Sequence, residues 1–183
     1  GVDRSGSRIL SRFSPMVGAA FSPHPHLTLF GNYTSSFQTP TTVELGNSAS
    51  REGGFNSDLD PETIRSVELG ARGLLGATRP LDFGITLYRF EIDDILVSFQ
   101  VADSEEVFFR NERRATNLGL ELIASWTPIP TLRTDLSITR SSFQYDRLDE
   151  CPEGGDTCLT YTDNDVPGMP QSHLFARLAY DQT

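Results

Sequence analysis

Two cysteines are the residues whose type and spacing bear most directly on chemistry. Cys151 and Cys158 are separated by six residues in the acidic, polar segment CPEGGDTC. Two thiolates alone rarely hold a metal ion, and this spacing fits no zinc-binding pattern. A disulfide between them is favoured if the chain lies in an oxidising compartment, and two exposed free thiols in a cytosolic loop are the alternative.

Histidines and arginines provide the other candidate sites. His24 and His26 could form a metal pair, but no third ligand lies nearby in sequence, so an exposed turn is favoured. Arg110, Arg113 and Arg114 could contact an anionic ligand, although a solvated strand end is the simpler interpretation. The sequence contains no nucleophile elbow, metal-ligand spacing or glycine-rich phosphate loop. We therefore expect a protein that is not an enzyme and that has no cofactor.

The composition limits the classes of protein to which the chain can belong. Its 183 residues include 15 basic and 25 acidic side chains, giving a net charge of −10, and every basic residue is arginine. A net acidic chain without basic runs argues against nucleic-acid binding, which requires clustered cations for the phosphates. The longest apolar run falls far short of the ~20 residues of a membrane helix. A hydrophobic content of 37% is low for a large core and suits a sheet with one apolar and one polar face.

Alternating apolar and polar residues predict an antiparallel all-β protein with seven strands, since strand side chains alternate between two faces. The pattern is clearest in residues 117–126. Its apolar residues are Leu118, Leu120, Leu122, Ala124 and Trp126, and the opposite face carries Asn117, Gly119, Glu121 and Ser125. The predicted strands cover residues 16–21, 27–37, 64–75, 81–90, 117–126, 132–145 and 173–180.

The lengths of the connections alternate between short and long. Three turns have five residues each, at 22–26, 76–80 and 127–131, whereas the inserts at 38–63, 100–116 and 146–172 have 26, about 17 and 27 residues. Short turns on one side and long loops on the other are the layout of outer-membrane barrels. A soluble β-sandwich has no reason to place every long loop at one end. We also expect a helical turn at residues 41–45 and a short extended hairpin within the middle insert.

Several motifs in these connections resemble those of the TonB-dependent outer-membrane receptors. The first insert begins with SFQTPTTVEL and ends with NSDLDPE, which leads into the strand segment SVELGARG. The segments RFEIDDIL and FRNERRA are similar to the family's R-x-x-I-x-D-x-I and Y-x-N-x-x-x-A motifs. PGMP, near the last strand, resembles its P-G-x-P motif. The motifs occur in the family's order, and the resemblance extends over nearly the whole chain.

The resemblance implies a transmembrane up-and-down β-barrel in the bacterial outer membrane. A complete receptor of this family has 22 strands, a plug domain inside the barrel and a short N-terminal box that binds TonB. The sequence shows no plug, TonB box, terminal strands or signal peptide. We therefore expect residues 1–183 to be an internal section of the barrel. The apolar face would then contact lipid, and Glu68, Arg72, Asp82 and Glu121 would line the lumen.

The resemblance also implies a function in active transport. The full receptor would bind a scarce nutrient, such as an iron–siderophore complex, cobalamin or a glycan, at its extracellular loops, with energy delivered through TonB. Its expected partners are the lipid bilayer, its own plug domain, TonB and a small-molecule ligand at the three long inserts. The alternative from the residues alone is a soluble secreted β-sandwich that serves as a binding or adhesion module.

Overall fold

The computed structural model describes residues 5–49, 54–100, 106–150 and 159–181 of the chain. Within them the protein is almost entirely β-structure, as the alternating pattern predicts. Its elements are β1 (Met16–His24), β2 (Leu27–Gln38), α1 (Thr42–Leu45), β3 (Glu62–Leu75), β4 (Leu81–Gln100), β5 (Val107–Ile129), β6 (Leu132–Glu150), β7 (Leu159–Tyr161), β8 (Asn164–Asp165) and β9 (Ser172–Tyr180). None of the helical residues described belongs to a segment long and apolar enough to cross a membrane.

The strands form one antiparallel up-and-down sheet. Each strand from β1 to β6 pairs with the next in sequence, and β7, β8 and β9 all pair with β6. The last three are successive pieces of one returning strand, because β9 pairs with the first half of β6 and β8 and β7 pair farther along it. The sheet therefore has the seven up-and-down runs that the sequence predicts. A β-sandwich would need a second packed sheet, and the described residues contain none.

The short turns all lie at one end of the sheet, but two of them are tighter than predicted. The connection at 76–80 has the expected five residues, whereas β1 and β5 continue into their predicted turns and leave only residues 25–26 and 130–131 as connections. Both strands shift register where they pass a proline, between Phe21 and His24 and between Trp126 and Ile129. Proline has no N–H to donate, so it is tolerated where regular pairing is interrupted.

The middle insert, predicted at residues 100–116, is largely strand. Pairing of β4 with β5 continues without a shift in register to Gln100 and Val107, so that only residues 101–106 connect the two strands. Alternating apolar residues sustain this extension, and the rings of Phe99 and Phe108 lie 5.9 Å apart across the pair. The expected extended hairpin is therefore confirmed, and the connection itself is shorter than the predicted residues 100–116.

Cross-strand pairing confirms the two predicted faces of the sheet. Leu118, Leu120 and Leu122 of β5 stand opposite Arg89, Leu87 and Ile85 of β4, and directly opposed side chains share a face. Across the whole sheet, the apolar residues that are in register form one continuous surface, called here the apolar face. Its residues are Val17, Ala19, Phe21, Leu29, Tyr33, Val67, Leu69, Ala71, Phe83, Ile85, Leu87, Leu118, Leu120, Leu122, Ala124, Leu136, Ile138, Leu174, Ala176, Leu178 and Tyr180.

The opposite face, called here the polar face, carries Glu68, Arg72, Asp82 and Glu121 together with a few large side chains. Those large side chains lie flat across glycines of the neighbouring strand. A Cβ atom at Gly119 would come within 2.2 Å of the Tyr88 ring, and one at Gly70 within 2.3 Å of Phe30. The glycine in the sequence ELG, which belongs to one of the family motifs, is therefore required by the ring that covers it.

The sheet has almost no core of its own. Among the described residues, the buried apolar side chains are Leu59, Tyr88, Phe108 and Ala115. The apolar face is instead open, with Leu69 59% and Leu178 71% exposed. Such a surface is stable only when something apolar covers it.

Candidate functional site

The end of the sheet opposite the short turns holds most of the buried residues in the described part of the chain. Three segments meet there, the N-terminal residues 5–12, the connection between β2 and β3, and the far end of the β4–β5 hairpin. We call this assembly the loop lobe; its described parts are residues 5–12, 39–49, 54–61, 94–100 and 106–111. It brings together two of the three inserts that the sequence predicts for ligand recognition.

The first insert is held in a compact fold by its own hydrogen bonds. The predicted helical turn is α1, and Thr41 and Glu44 form a capping box in which each side chain accepts from the other residue's N–H, at 3.4 and 2.6 Å. The chain then folds back, because Asn56 N–H donates to the Leu45 carbonyl at 2.7 Å and Ser48 N–H to that of Gly54 at 2.9 Å. The insert is therefore an ordered element.

Two asparagine amides attach the insert to the edge of β5. The Asn47 amide donates to the Val107 carbonyl at 2.9 Å, and the Asn56 amide to that of Phe109 at 3.4 Å. At these residues β5 pairs with β4 alone, because its pairing with β6 begins at Arg114. The side-chain amides thus supply partners to a strand segment that lacks a neighbour on one side.

Asn111 joins the insert to both strands of the hairpin. Its Oδ1 accepts from Asp60 N–H at 2.7 Å, and its Nδ2 donates to the carbonyls of Asp60 and Asp94 at 2.9 and 2.6 Å. Asp94 has a φ of 58°, a left-handed conformation that bends β4 at this point. One side chain therefore satisfies three backbone groups at the base of the loop lobe.

Replacing Asn111 by alanine is expected to loosen the loop lobe and leave the sheet intact. The loss of bonds to three backbone groups should speed hydrogen exchange at the Asp60 amide by roughly tenfold, since each unmade bond costs on the order of 1 kcal/mol. Exchange measured by mass spectrometry on the full-length protein tests this. Asn47→Ala, which removes a single exposed bond, is the matched control and should change exchange less. Equal acceleration throughout β3 and β4 would contradict a local role.

The N-terminal segment crosses over the insert. The Arg8 guanidinium donates to the carbonyls of Ser57, at 2.7 Å, and Leu59, and it pairs with the Asp60 carboxylate at 2.7 Å. Leu59 is 2% exposed beneath these contacts. The segment before β1 is thus part of the loop lobe, a role that its sequence does not indicate.

Glu62 carries a carboxyl group whose ionisation is coupled to the packing of the lobe. Burial raises the pKa of Glu62, the hydrogen bond from Leu96 N–H to its Oε1 at 2.7 Å lowers it, and the Glu44 carboxylate raises it, with a net rise. The folded state therefore binds this proton more tightly than the unfolded chain does. The resulting stabilisation is fully present below the unfolded pKa and is lost as the pH rises through the higher folded pKa.

We expect protease resistance of the loop lobe to fall as the pH rises through the raised pKa of Glu62, because the carboxyl group then loses the proton that the folded state binds more tightly. Limited proteolysis of the full-length protein at several pH values measures this. Glu62→Gln should reduce the pH dependence and keep the lobe resistant at the higher pH. An identical pH dependence in both proteins would assign the effect to other carboxylates.

Three of the family motifs meet in this lobe or at its base. Asn56, Leu59 and Glu62 come from NSDLDPE, Asp94 from RFEIDDIL, and Asn111 from FRNERRA. All of them make the lobe's internal contacts described above. Ala115, which ends the last of these motifs, is completely buried. These residues therefore maintain the architecture of the lobe.

Each predicted ligand-contacting arginine whose side chain is described has a carboxylate partner. Arg110 Nε lies 2.8 Å from a Glu112 oxygen, and its guanidinium lies 5.2 Å from the centre of the Phe99 ring. Arg114 Nε lies 2.7 Å from an Asp93 oxygen. Arg113 lies in β5, and its side chain is outside the described part of the chain. Contact of these arginines with a ligand remains a prediction.

Arg114 belongs to a row of ion pairs across β3 to β6, called here the charged belt. The belt begins with Arg89, which stands in register with Val67 and Leu118, and continues beyond them on the same face of the sheet. Arg89 pairs with Glu91 at 2.7 Å, and Arg65 pairs with Asp93. Its members are Arg65, Arg89, Glu91, Asp93, Arg114 and Asp146. This abrupt change from apolar to charged side chains marks one boundary of the apolar face.

An open groove of about 470 Å³ lies between α1 and the start of β5. Its walls include Val43, Asn47, Val107 and Phe109. Val43 is 72% exposed, and the Asn47 side chain spans the groove to β5. Apolar walls with a polar group are the usual composition of a small-molecule site. Because Phe109 and Arg110 are adjacent in a strand, the side chain of Arg110 points away from the wall that Phe109 forms.

The candidate histidines do not line this groove, and the candidate cysteines are not among the described residues. Cys151 and Cys158 lie outside the described residues, so their disulfide stays a prediction. His24 and His26 lie at the opposite end of the sheet with ring centres 5.5 Å apart, and His26 N–H donates to His24 Nδ1. No group of three metal-ligating side chains occurs in the described ranges.

A disulfide between Cys151 and Cys158 should leave no alkylatable thiol in the protein isolated from its native cells. The motivation is their close spacing in a loop expected to face an oxidising medium. Mass spectrometry after alkylation, with and without prior reduction, measures it. Modification of both cysteines without reductant would refute the disulfide. Because the closed loop is short, we expect the bond to stabilise this loop only modestly.

Comparisons with family models and with solved structures agree on one family of proteins. A family model described as "TonB dependent receptor-like, beta-barrel" matches residues 1–183. No curated protein matches the sequence. Among solved structures, the FpvAI–pyocin S2 complex superimposes with a TM-score of 0.67 at 16% identity, covering 98% of this chain and 22% of that one.

Two further solved structures are similar in fold. The alcaligin outer-membrane receptor FauA from Bordetella pertussis has a TM-score of 0.62 at 20% identity and covers 97% of this chain and 27% of its own. The copper transporter OprC has a TM-score of 0.64 at 19% identity, with 90% and 23% covered. The chain thus spans about a quarter of the length of these proteins.

Proposed function

Because this chain belongs to the TonB-dependent receptor β-barrel family, whose members lie in the bacterial outer membrane, we propose that it is part of the barrel of an active transporter. The complete protein takes up a scarce nutrient, such as an iron–siderophore complex, cobalamin or a glycan, with energy delivered through TonB. Residues 1–183 contribute seven runs of a 22-stranded barrel that holds a plug domain. The observation that carries this proposal is the match of the family model to the whole chain.

The two ends of the sheet differ in a way that supports this function and indicates how the barrel is oriented in the membrane. The short turns face the periplasm, and the loop lobe faces the exterior, where the groove beside Val43 and Phe109 offers walls for a small ligand. Recognition surfaces commonly lie on loops held by a rigid scaffold. The capping box, Asn111 and Arg8 hold the lobe in one arrangement, which reduces the entropy lost when a ligand binds. The similarity to an alcaligin receptor and a copper transporter favours a metal, free or bound to a siderophore, as the nutrient.

Uptake by cells tests this proposal. The gene that encodes the chain is deleted, and accumulation of labelled ferric siderophores, cobalamin, copper and oligosaccharides is measured with and without TonB. We expect accumulation of one ligand class to require both the gene and TonB. Val43→Asp should reduce it, whereas Val17→Asp, at the outer edge of the sheet, should instead affect assembly of the barrel. Accumulation that does not depend on TonB would refute active transport.

A further inference from the structure

A second groove, of about 390 Å³, lies on the apolar face where it approaches the charged belt. Its floor is formed by Leu87, Leu118 and Leu120, which are between 39% and 51% exposed, and Arg140 of β6 forms part of its wall. It is separate from the groove in the loop lobe. It opens sideways, in the direction of the surrounding membrane.

Two arginines stand on either side of the leucine floor. In the register of the sheet, Arg89 of β4 is opposite Leu118, and Arg140 of β6 is opposite Leu120. Arg89 uses one nitrogen for Glu91 and is 57% exposed. Arg140 is exposed and has no ion-pair partner within the described ranges. A guanidinium has five N–H donors, so both side chains retain donors for another group.

The depth of the groove in the membrane follows from the rows of residues in register across the neighbouring strands. The next row on the bilayer side is fully apolar, with Ile85, Leu122 and Ile138 in register. The rows on the lobe side contain the charged belt. An arginine without an anion is costly in hydrocarbon but costs little near the interface, which its long side chain can reach. The two guanidinium groups therefore lie at the depth of the lipid headgroups.

Among the described residues that line the groove, Asp165 is the acidic one, and it lies at the rim that is nearer to the loop lobe. Asp165 accepts hydrogen bonds from the Gln144 and Gln171 amides, at 3.2 and 2.7 Å. These amides fix the carboxylate at the rim and partly compensate its charge. This carboxylate repels a phosphate bound close to the loop lobe and so favours a phosphate bound farther toward the bilayer, near Arg140.

We propose that this groove binds a phosphate-bearing lipid of the outer leaflet, with an acyl chain over Leu87, Leu118 and Leu120 and its phosphate between Arg89 and Arg140. Planar guanidinium groups bind phosphate oxygens through paired, charge-assisted hydrogen bonds. The phosphate supplies the anion that Arg140 lacks among the described residues. This site depends on the membrane placement and orientation in the proposed function and is independent of the transported nutrient.

Native mass spectrometry of the intact receptor in an uncharged maltoside detergent tests this site. The probes are bisphosphorylated lipid A, the same lipid after enzymatic removal of its phosphates, and inorganic phosphate. Wild-type receptor should retain the phosphorylated lipid in preference to the other two. Arg140→Gln should weaken retention roughly tenfold, as expected for one lost charge-assisted contact.

Arg177→Gln is the matched control, because Arg177 is an exposed arginine on the adjacent strand that stands opposite Asp135 on the polar face. It should retain lipid like the wild type. Equal retention by Arg140→Gln, or equal retention of the dephosphorylated lipid, would overturn the proposal. Retention of inorganic phosphate instead of lipid would assign the site to a soluble anion.

If Arg140→Gln fails to fold, Arg140→Lys decides the question, since it keeps the charge without the planar fork and should bind lipid with intermediate strength. Equal binding by this variant and the wild type would contradict a paired contact with phosphate. Ligand uptake measured on the same variants separates the two proposals. Loss of lipid with normal uptake would support the lipid site alone, and TonB-independent uptake with normal lipid retention would refute only the transport function.

Discussion

Replacing Leu122 by arginine is expected to lower the free energy of unfolding of the receptor in lipid by about 2–4 kcal/mol. Leu122 stands between Ile85 and Ile138 in the fully apolar row of the sheet, and the apolar residues of β5 extend equally far on both sides of it, from Leu118 to Trp126. It therefore lies nearest the middle of the bilayer, where an arginine costs most. Folding and unfolding in lipid vesicles, followed by tryptophan fluorescence or gel mobility, measure the change.

The adjacent residue provides a matched control. Ile123 is on the polar face, 56% exposed, and lies against Gly84 of the neighbouring strand. Ile123→Arg introduces the same side chain one position away but points it toward the lumen, so the cost should be clearly smaller. Glu121→Gln should also be mild. A tolerated arginine at Leu122 together with a severe effect at Ile123 would reverse the assignment of the two faces.

The second large effect concerns residues 1–183 prepared alone, which should not form a stable soluble monomer. In the described part of the chain, β1 pairs only with β2 and β9 only with β6, so both outer strands present unpaired backbone groups. The apolar face adds a continuous exposed surface that includes Leu69, Leu87 and Leu178. Monomeric soluble proteins seldom expose apolar patches of more than a few hundred Å².

Size-exclusion chromatography with light scattering, in the absence of detergent, tests this expectation. We expect inclusion bodies on cytoplasmic expression and large aggregates after removal of denaturant, with recovery in detergent as the control. A monodisperse monomer with a sharp thermal transition would mean that the apolar surfaces pack against one another. That result would return the β-sandwich to consideration.

The strands and their faces were predictable because both depend on neighbouring residues. Alternation along residues 117–126 is enough to separate Leu120 from Glu121, and the register of the sheet agrees with it. The predicted ends of the strands were less accurate where pairing between strands continued past residues that favour turns. Pro23 and Pro128 predicted turns, yet both lie within strands that shift register around them. The hairpin beyond Gln100 likewise depends on contacts between two strands, which no single segment displays.

The motifs identified the family, but they did not indicate what their residues do. Asn56 and Asn111 are separated by a long stretch of chain, and both attach the insert to the β4–β5 hairpin. Arg8 lies in a segment whose sequence shows no pattern, so its bonds to the insert could not be anticipated. The ion pairs of Arg114, which the sequence suggested as a ligand contact, could not be anticipated either. Its carboxylate partners are distant in sequence and come close to it only in the folded sheet.

The class of fold, the two faces and the alternation of short and long connections could be predicted from the amino-acid order, because a period of two and the spacing of turns are local properties. The loop lobe, the charged belt and the groove beside Arg140 became visible only in the folded chain. Each of these joins side chains from strands or loops that are distant in sequence. Their assembly depends on strand register and on hydrogen bonds between segments, and a shift of one residue would place every one of these side chains on the other face.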